Sequence, residues 1–228
     1  AAGTLVKAKT ALLFDWDNRW AIQDVKALSE NTKNYEKTCI GIWKEFQKLG
    51  VEMDVVSSND DLSDYKVVVA PMLYLLQSGT AENLQKFVKN GGQLLATYFT
   101  GYVDKDTLCY LGGFPGDGLA ELFGVISEEI DTLYPSDRNS LCFLDGKKWT
   151  VYDYAEILRV QDAQILASYG TDFYEGSAAL TVKEWESDTH TGENGRAYYI
   201  AARVAPEEMG SLFETMLANA GIAVKDLP

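Results

Sequence analysis

The sequence runs to 228 residues and carries 34 Asp plus Glu against 20 Lys plus Arg, a formal net charge of −14. Hydrophobic residues make up 46% of it, enough to fill a core without disulfide or metal staples. That acidic balance argues against nucleic acid or an anionic membrane face as a partner, and no apolar run approaches the roughly 18 residues of a membrane span.

Strand and helix signals alternate through the first hundred residues. KTALLFDW (Lys9 to Trp16) is a short continuous apolar run, the mark of a strand covered on both faces. After a polar loop, NYEKTCIGIWKEFQKLG predicts a helix. Its Cys39, Trp43, Phe46 and Leu49 recur at three- and four-residue steps on one face, and Gly50 closes it. VEMDVVS (Val51 to Ser57) reads as a second strand, DDLSDY as a connector, and KVVVAP (Lys66 to Pro71) as a third strand. SGTAENLQKFVKNGG predicts a second helix, with Thr80 as its N-cap and Gly91 or Gly92 at its end. QLLATYF (Gln93 to Phe99) is the fourth strand.

This alternation implies right-handed crossovers and an α/β fold with a doubly wound, mostly parallel, flavodoxin-like sheet in the order 2-1-3-4. Ligands of such sheets gather beyond the carboxyl ends of the strands. The loops there are DWDNRW, PMLYLLQ and FTGYVD.

The second half changes character. Residues 105–139 are loop-rich, with a short helix at LAELFG and a strand at VISEEID. LCFLDGKKWTVYD carries an Asp145-Gly146 hairpin signal, and AQILASYG, AALTVKEW and RAYYIAA add β-like runs, some antiparallel. PEEMGSLFETMLANAGI closes the chain as an amphipathic helix, with Pro206 in its first turn and Gly221 at its end. No linker composition interrupts the chain, so 1–228 reads as a single domain.

Sites of chemistry are few. Cys39, Cys109 and Cys142 are odd in number and widely spaced, so a disulfide framework is not expected and a reducing, cytoplasmic compartment is. The single histidine, His190, lies in a polar stretch, and neither a metal site nor a cofactor is expected. Neither a phosphate loop nor a G-x-S-x-G elbow occurs. Carboxylate pairs occur at Glu128-Glu129 and Asp60-Asp61; Glu128 and Glu129 are neighbours in a strand, which face opposite ways and so do not flank one glycosidic bond. The end of the fourth strand is similar to the nucleophile turn of class I glutamine amidotransferases, G-x-C-x-G. Gly101 matches its final glycine, but Phe99 stands where the thiol should be. Trp16, Asp17, Asn18, Arg19 and Trp20 form an unusual cluster. Its tryptophans either fold back onto the domain's own core or meet a partner or a sugar, whose pyranose faces stack on aromatic rings.

Taken together, ALLFDWDNRWA, GVEMDVVSSNDDLSDYKVVVAPMLYLL, FVKNGGQLLATYFTGYVDKDT, GGFPGDGLAELFGVISEEIDTL and NGRAYYIAARV resemble the middle domain of family 42 β-galactosidases, over roughly residues 9–222. The resemblance implies a class I glutamine amidotransferase-like fold that mediates a homotrimer. It also implies a preceding (β/α)8 barrel bearing both catalytic glutamates, so that this chain, excised from the larger enzyme, is itself non-catalytic. Under it, Trp16, Asn18, Arg19 and Trp20 become candidates for an interface or for the wall of a galactoside pocket, and Phe99 and Gly101 a vestigial elbow. The competing readings are a stand-alone amidotransferase-like hydrolase and a carbohydrate-binding module.

Overall fold

A computed structural model describes residues 8–26, 32–187 and 193–224 of the chain; His190 lies outside the described residues. From the amino end, β1 (Thr10–Leu13) leads into α1 (Trp16–Asp24), α2 (Tyr35–Lys48), β2 (Met53–Val56), β3 (Val67–Ala70), α3 (Thr80–Lys89) and β4 (Gln93–Thr97). A short helix α4 (Leu119–Phe123) precedes β5 (Val125–Thr132), β6 (Asn139–Phe143), β7 (Lys148–Val160) and β8 (Gln164–Tyr169). Then come β9 (Ala178–Trp185), β10 (Gly195–Ile200), β11 (Ala202–Val204), a 3₁₀ turn (Pro206–Met209) and α5 (Gly210–Asn219).

All of these strands belong to one 11-stranded sheet in the order β11-β7-β6-β8-β9-β10-β4-β3-β1-β2, with β5 paired to β7. The order 2-1-3-4 expected from the sequence is the one found, and β10 adds to it as a fifth parallel strand beside β4. From β10 outward the pairing turns antiparallel through β9, β8, β6 and β7. β10 and β11 are separated by Ala201 alone. The first pairs with β9 and the second with β7, which brings the antiparallel strands round into a closed path.

Alternation along the parallel strands builds two cores. Leu12, Val67, Val69, Leu95, Tyr198 and Ile200 face one layer, which α2 and α5 cover with Ile42, Phe46, Phe213 and Leu217. The residues between them, including Ala11, Leu13, Val68, Leu94 and Tyr199, face the other layer, where Leu84, Val88, Leu122 and Phe123 of α3 and α4 close over them. A strand buried on both sides must be apolar throughout, which is why β1 and β3 read as unbroken runs. At the end of α2, Gly50 takes φ +65° and donates to Gln47 O while Val51 donates to Phe46 O, respectively the five-to-two and six-to-one bonds of a Schellman ending.

Three local expectations are corrected. Trp16 to Trp20 is not a loop but the first turns of α1. Its inward positions are Asn18 and Ile22 while Trp16 and Trp20 face outward, so no apolar stripe marks a buried helical face, and the contacts of Asn18 fix it. On α2 the buried positions are Tyr35, Cys39, Ile42, Glu45 and Phe46, and Trp43 turns outward, its indole N–H donating to Met53 O of the edge strand at 3.2 Å. Gly79, at φ +86°, takes the N-cap position of α3 in place of Thr80, whose hydroxyl is shared among Ser58 and Asn59 in the neighbouring loop.

Candidate functional site

At the carboxyl edge of β1, α1 divides its residues between two tasks. Asn18 is fully buried: its amide N–H donates to Met72 O at 2.9 Å and its oxygen accepts from Leu75 N at 2.9 Å. It therefore ties α1 to the segment after β3 and is a buttress, not a surface group. Trp16 and Trp20 point the other way, 58% and 55% exposed, with ring centroids 6.3 Å apart. Arg19 lies over the Trp16 ring at 5.7 Å and pairs with Glu36 of α2. Trp20 also borders an open groove of about 970 Å³ shared with Asp17, Asp24, Tyr74, Lys105 and Thr107.

At the carboxyl end of β4 the chain reverses through Phe99 (φ +65°) and Gly101 (φ +67°). A bulky residue with positive φ is unusual and costs of the order of 1–3 kcal/mol, so surrounding structure must impose it. The clamp is Glu156 of β7, wholly buried, whose carboxylate accepts from Phe99 N (2.7 Å), Tyr102 OH (2.9 Å) and Tyr199 OH (2.7 Å). Burial pushes its pKa up to about 7, against the lowering effect of those donors. The Phe99 ring is buried against Tyr154 (4.7 Å, edge-on) and Tyr98 (5.1 Å). Gly101 is required twice over, by its φ and because a Cβ there would stand 3.0 Å from Gly116 N.

A family model described as the β-galactosidase trimerisation domain matches residues 8–223, nearly every residue the structure describes. The chain belongs to that family. Among its relatives are β-galactosidase BglY of Alicyclobacillus acidocaldarius, 40% identical over 97% of this chain, and β-galactosidase Pbg of Clostridium perfringens, 39% identical over 94%. Among solved structures, the β-galactosidase of Rahnella sp. R3 superposes with a TM-score of 0.89 at 33% identity, over 98% of this chain and 33% of that one. Gan42B, a family 42 β-galactosidase from G. stearothermophilus, gives 0.86 at 35%, over 96% of this chain and 31% of that one. The chain spans about a third of the length of the curated relatives it matches, 32% of BglY and 31% of Pbg.

Within this trimerisation domain the carboxylate pairs singled out from the sequence serve turns and strands. Asp60 accepts from Ser57 N and Asp61 from Ser63 N, while Glu128 pairs with Arg159. Glu128 and Glu129 are both exposed because a bulge between Ser127 and Glu129 breaks the strict alternation of β5. Cys39, Cys109 and Cys142 are free, and burial pushes the Cys39 thiol up to about 12. No group of three or more His, Cys, Asp or Glu side chains among the described residues could hold a metal.

Sequence reasoning missed two residues of the trimerisation domain that organise the β4 turn. Glu156 sits in the run YAEILRV, where alternation offered a hint that one charged residue shares the inward face with buried neighbours. Arg203 donates to Tyr98 OH at 2.8 Å and to Lys33 O at 2.9 Å, and its guanidinium lies over the Tyr98 and Tyr154 rings. It thereby braces Tyr98 and Tyr154, the two rings that Phe99 packs against, and fastens the entry to α2; nothing in its local sequence signals this.

Proposed function

We propose that the chain is the non-catalytic, trimer-forming domain of a larger β-galactosidase, whose hydrolysis of terminal β-D-galactosides belongs to a (β/α)8 barrel elsewhere in the same protein. The family match over residues 8–223 supports the trimer, and the relatives' names support the parent activity. The observation that carries the non-catalytic reading is Phe99. It occupies the turn where an amidotransferase-like site would present its nucleophile, and it offers a buried hydrocarbon ring instead.

The parallel order 2-1-3-4 continued by β10 supports a flavodoxin-like, class I glutamine amidotransferase-like fold, with Phe99 and Gly101 as its vestigial elbow. We read one domain over about residues 9–222, since a single sheet runs through it. Free thiols on all three cysteines suit a reducing cytoplasm. Trp16, Arg19 and Trp20 form the surface offered to other polypeptide.

The purified chain should sediment as a trimer and should leave a chromogenic β-galactoside untouched. Glutamate-dependent turnover by the chain alone would overturn the assignment. A second reading rests on the Trp16–Trp20 pair beside an open polar groove, the furniture of a sugar subsite. Titration with galactose and lactose to about 100 mM, followed by tryptophan fluorescence, tests it; a flat response at that weak limit removes it.

A further inference from the structure

An apolar stripe runs along one flank of the domain. It starts at Trp20 and Trp16 on α1, passes through Phe14, which meets Trp16 edge-on at 5.3 Å, and continues over Ile40 and Trp43 of α2 to Val55 on the edge strand β2. Ile40 and Val55 are more than half exposed, and a hollow of about 550 Å³ opens between α2 and β2. Three of the five tryptophans of the sequence lie in this stripe. Monomeric surfaces rarely keep so much aromatic area in water, and aromatic clusters with few net charges are what the centres of interfaces are made of.

Two features decide what covers it. The first is where the chain ends. Lys66 N donates to Lys9 O just before β1, and Lys66 Nζ donates to Ala220 O just after α5. Both ends of the described chain therefore meet at the amino edge of the parallel sheet. The Trp16–Trp20 end of the stripe lies at the carboxyl edge, beyond a strand about 13 Å long. Polypeptide joined at those ends departs from the opposite side of the sheet. The second feature is charge. A chain of net charge −14 repels its own copies, so self-association favours a surface that adds no further negative charge. Here Arg19 and Glu36, which border the stripe, neutralise one another.

We infer that the Trp16–Trp20–Trp43–Val55 stripe is a contact through which the domain holds a second copy of itself. This rests on the oligomerisation reading above and assigns it a surface. In a closed ring of three the contact is head-to-tail, so the stripe of one copy seats on a different surface of the next.

The test compares the wild-type chain with Trp20→Asp and Ile40→Asp by sedimentation velocity from about 1 to about 100 µM, where mass action spans the usual range of subunit affinities. The wild type is expected to associate. Each variant should raise the midpoint concentration at least tenfold while keeping the wild-type circular dichroism spectrum. Association of both variants at the wild-type midpoint would overturn the stripe and leave the oligomerisation reading standing. A wild type that stays monomeric throughout overturns the inference and, with it, self-association by this domain alone. A measurement without substitution guards against misfolding. Diluting the wild type through its midpoint should increase acrylamide quenching of tryptophan fluorescence, and unchanged quenching across dissociation also overturns the proposal.

Discussion

The backbone N–H of Phe99 donates a 2.7 Å hydrogen bond to the carboxylate of Glu156, so a residue in a left-handed turn is held by a wholly buried acid from another strand. The pH dependence follows from the sign of the shift. The folded pKa of about 7 lies above the ordinary 4.5, so the folded state keeps the proton more tightly than the unfolded chain does. The stability due to the protonated form is complete below about pH 4.5 and is lost as pH rises through about 7. The ionisation penalty at pH 8 is of the order of 3 kcal/mol. Glu156→Gln, which mimics the protonated acid, should match the wild type near pH 5 and exceed it near pH 8. Parallel denaturation curves for the two proteins at both pH values would show that Glu156 does not titrate in this way.

The Phe99 turn predicts an inverted order of substitutions. Truncating a buried Phe to Ala costs about 3–5 kcal/mol. Replacing Ala by Gly ordinarily costs up to about 1 kcal/mol more, but at φ +65° glycine is at ease and alanine is not. Phe99→Gly should therefore be at least as stable as Phe99→Ala in urea. A clear deficit of the glycine variant would mean that the turn relaxes when the ring is removed.

How far this site was legible from sequence differs residue by residue. The strands β1 to β4 and their order follow from apolar runs separated by helical periods, and Gly101 from its place after β4. Phe99 was visible as a missing nucleophile, but its clamp was not: Glu156 is fifty-seven residues away, and it reaches the turn only because β7 pairs with β11 and meets Ala201 at the end of β10, the strand beside β4. Trp43 and Ile42 are neighbours on the α2 period, and which of them faces inward is settled by the docking angle of the helix, which periodicity does not specify. Trp16 to Trp20 looked like a loop because the cause of its helix is the buried Asn18 contact with the segment after β3.

That contact yields a prediction of its own. Asn18→Ala leaves Leu75 N buried without a partner and removes one of the two donors to Met72 O, which keeps Tyr74 N, a loss of about 1–3 kcal/mol. Asn18→Asp keeps the acceptor for Leu75 N but turns a carboxylate oxygen toward Met72 O. It should be worse than alanine at pH 8 and recover toward it in acid, as the introduced acid takes up a proton and regains a donor. Equal stability of wild type and both variants in urea would return Asn18 to the surface group expected from sequence.

The tryptophans separate surface from core. Trp149 is buried with its ring 4.6 Å from Phe143 and packs into the larger of the two cores. Trp149→Ala should cost about 3–5 kcal/mol, lowering the melting temperature by roughly 10 °C in a protein of this size. Trp16 and Trp20 are each more than half exposed, and their removal leaves the buried Asn18 anchor of α1 intact. Trp16→Ala and Trp20→Ala should each cost within about 1 kcal/mol when measured on dilute, dissociated chain. Dilution matters because a lost subunit contact also lowers the melting temperature of an oligomer, and only the dissociated chain reports internal packing. Should either substitution destabilise the dilute chain as much as Trp149→Ala does, the Trp16–Trp20 pair would be part of the domain's own packing and would be no surface for a partner.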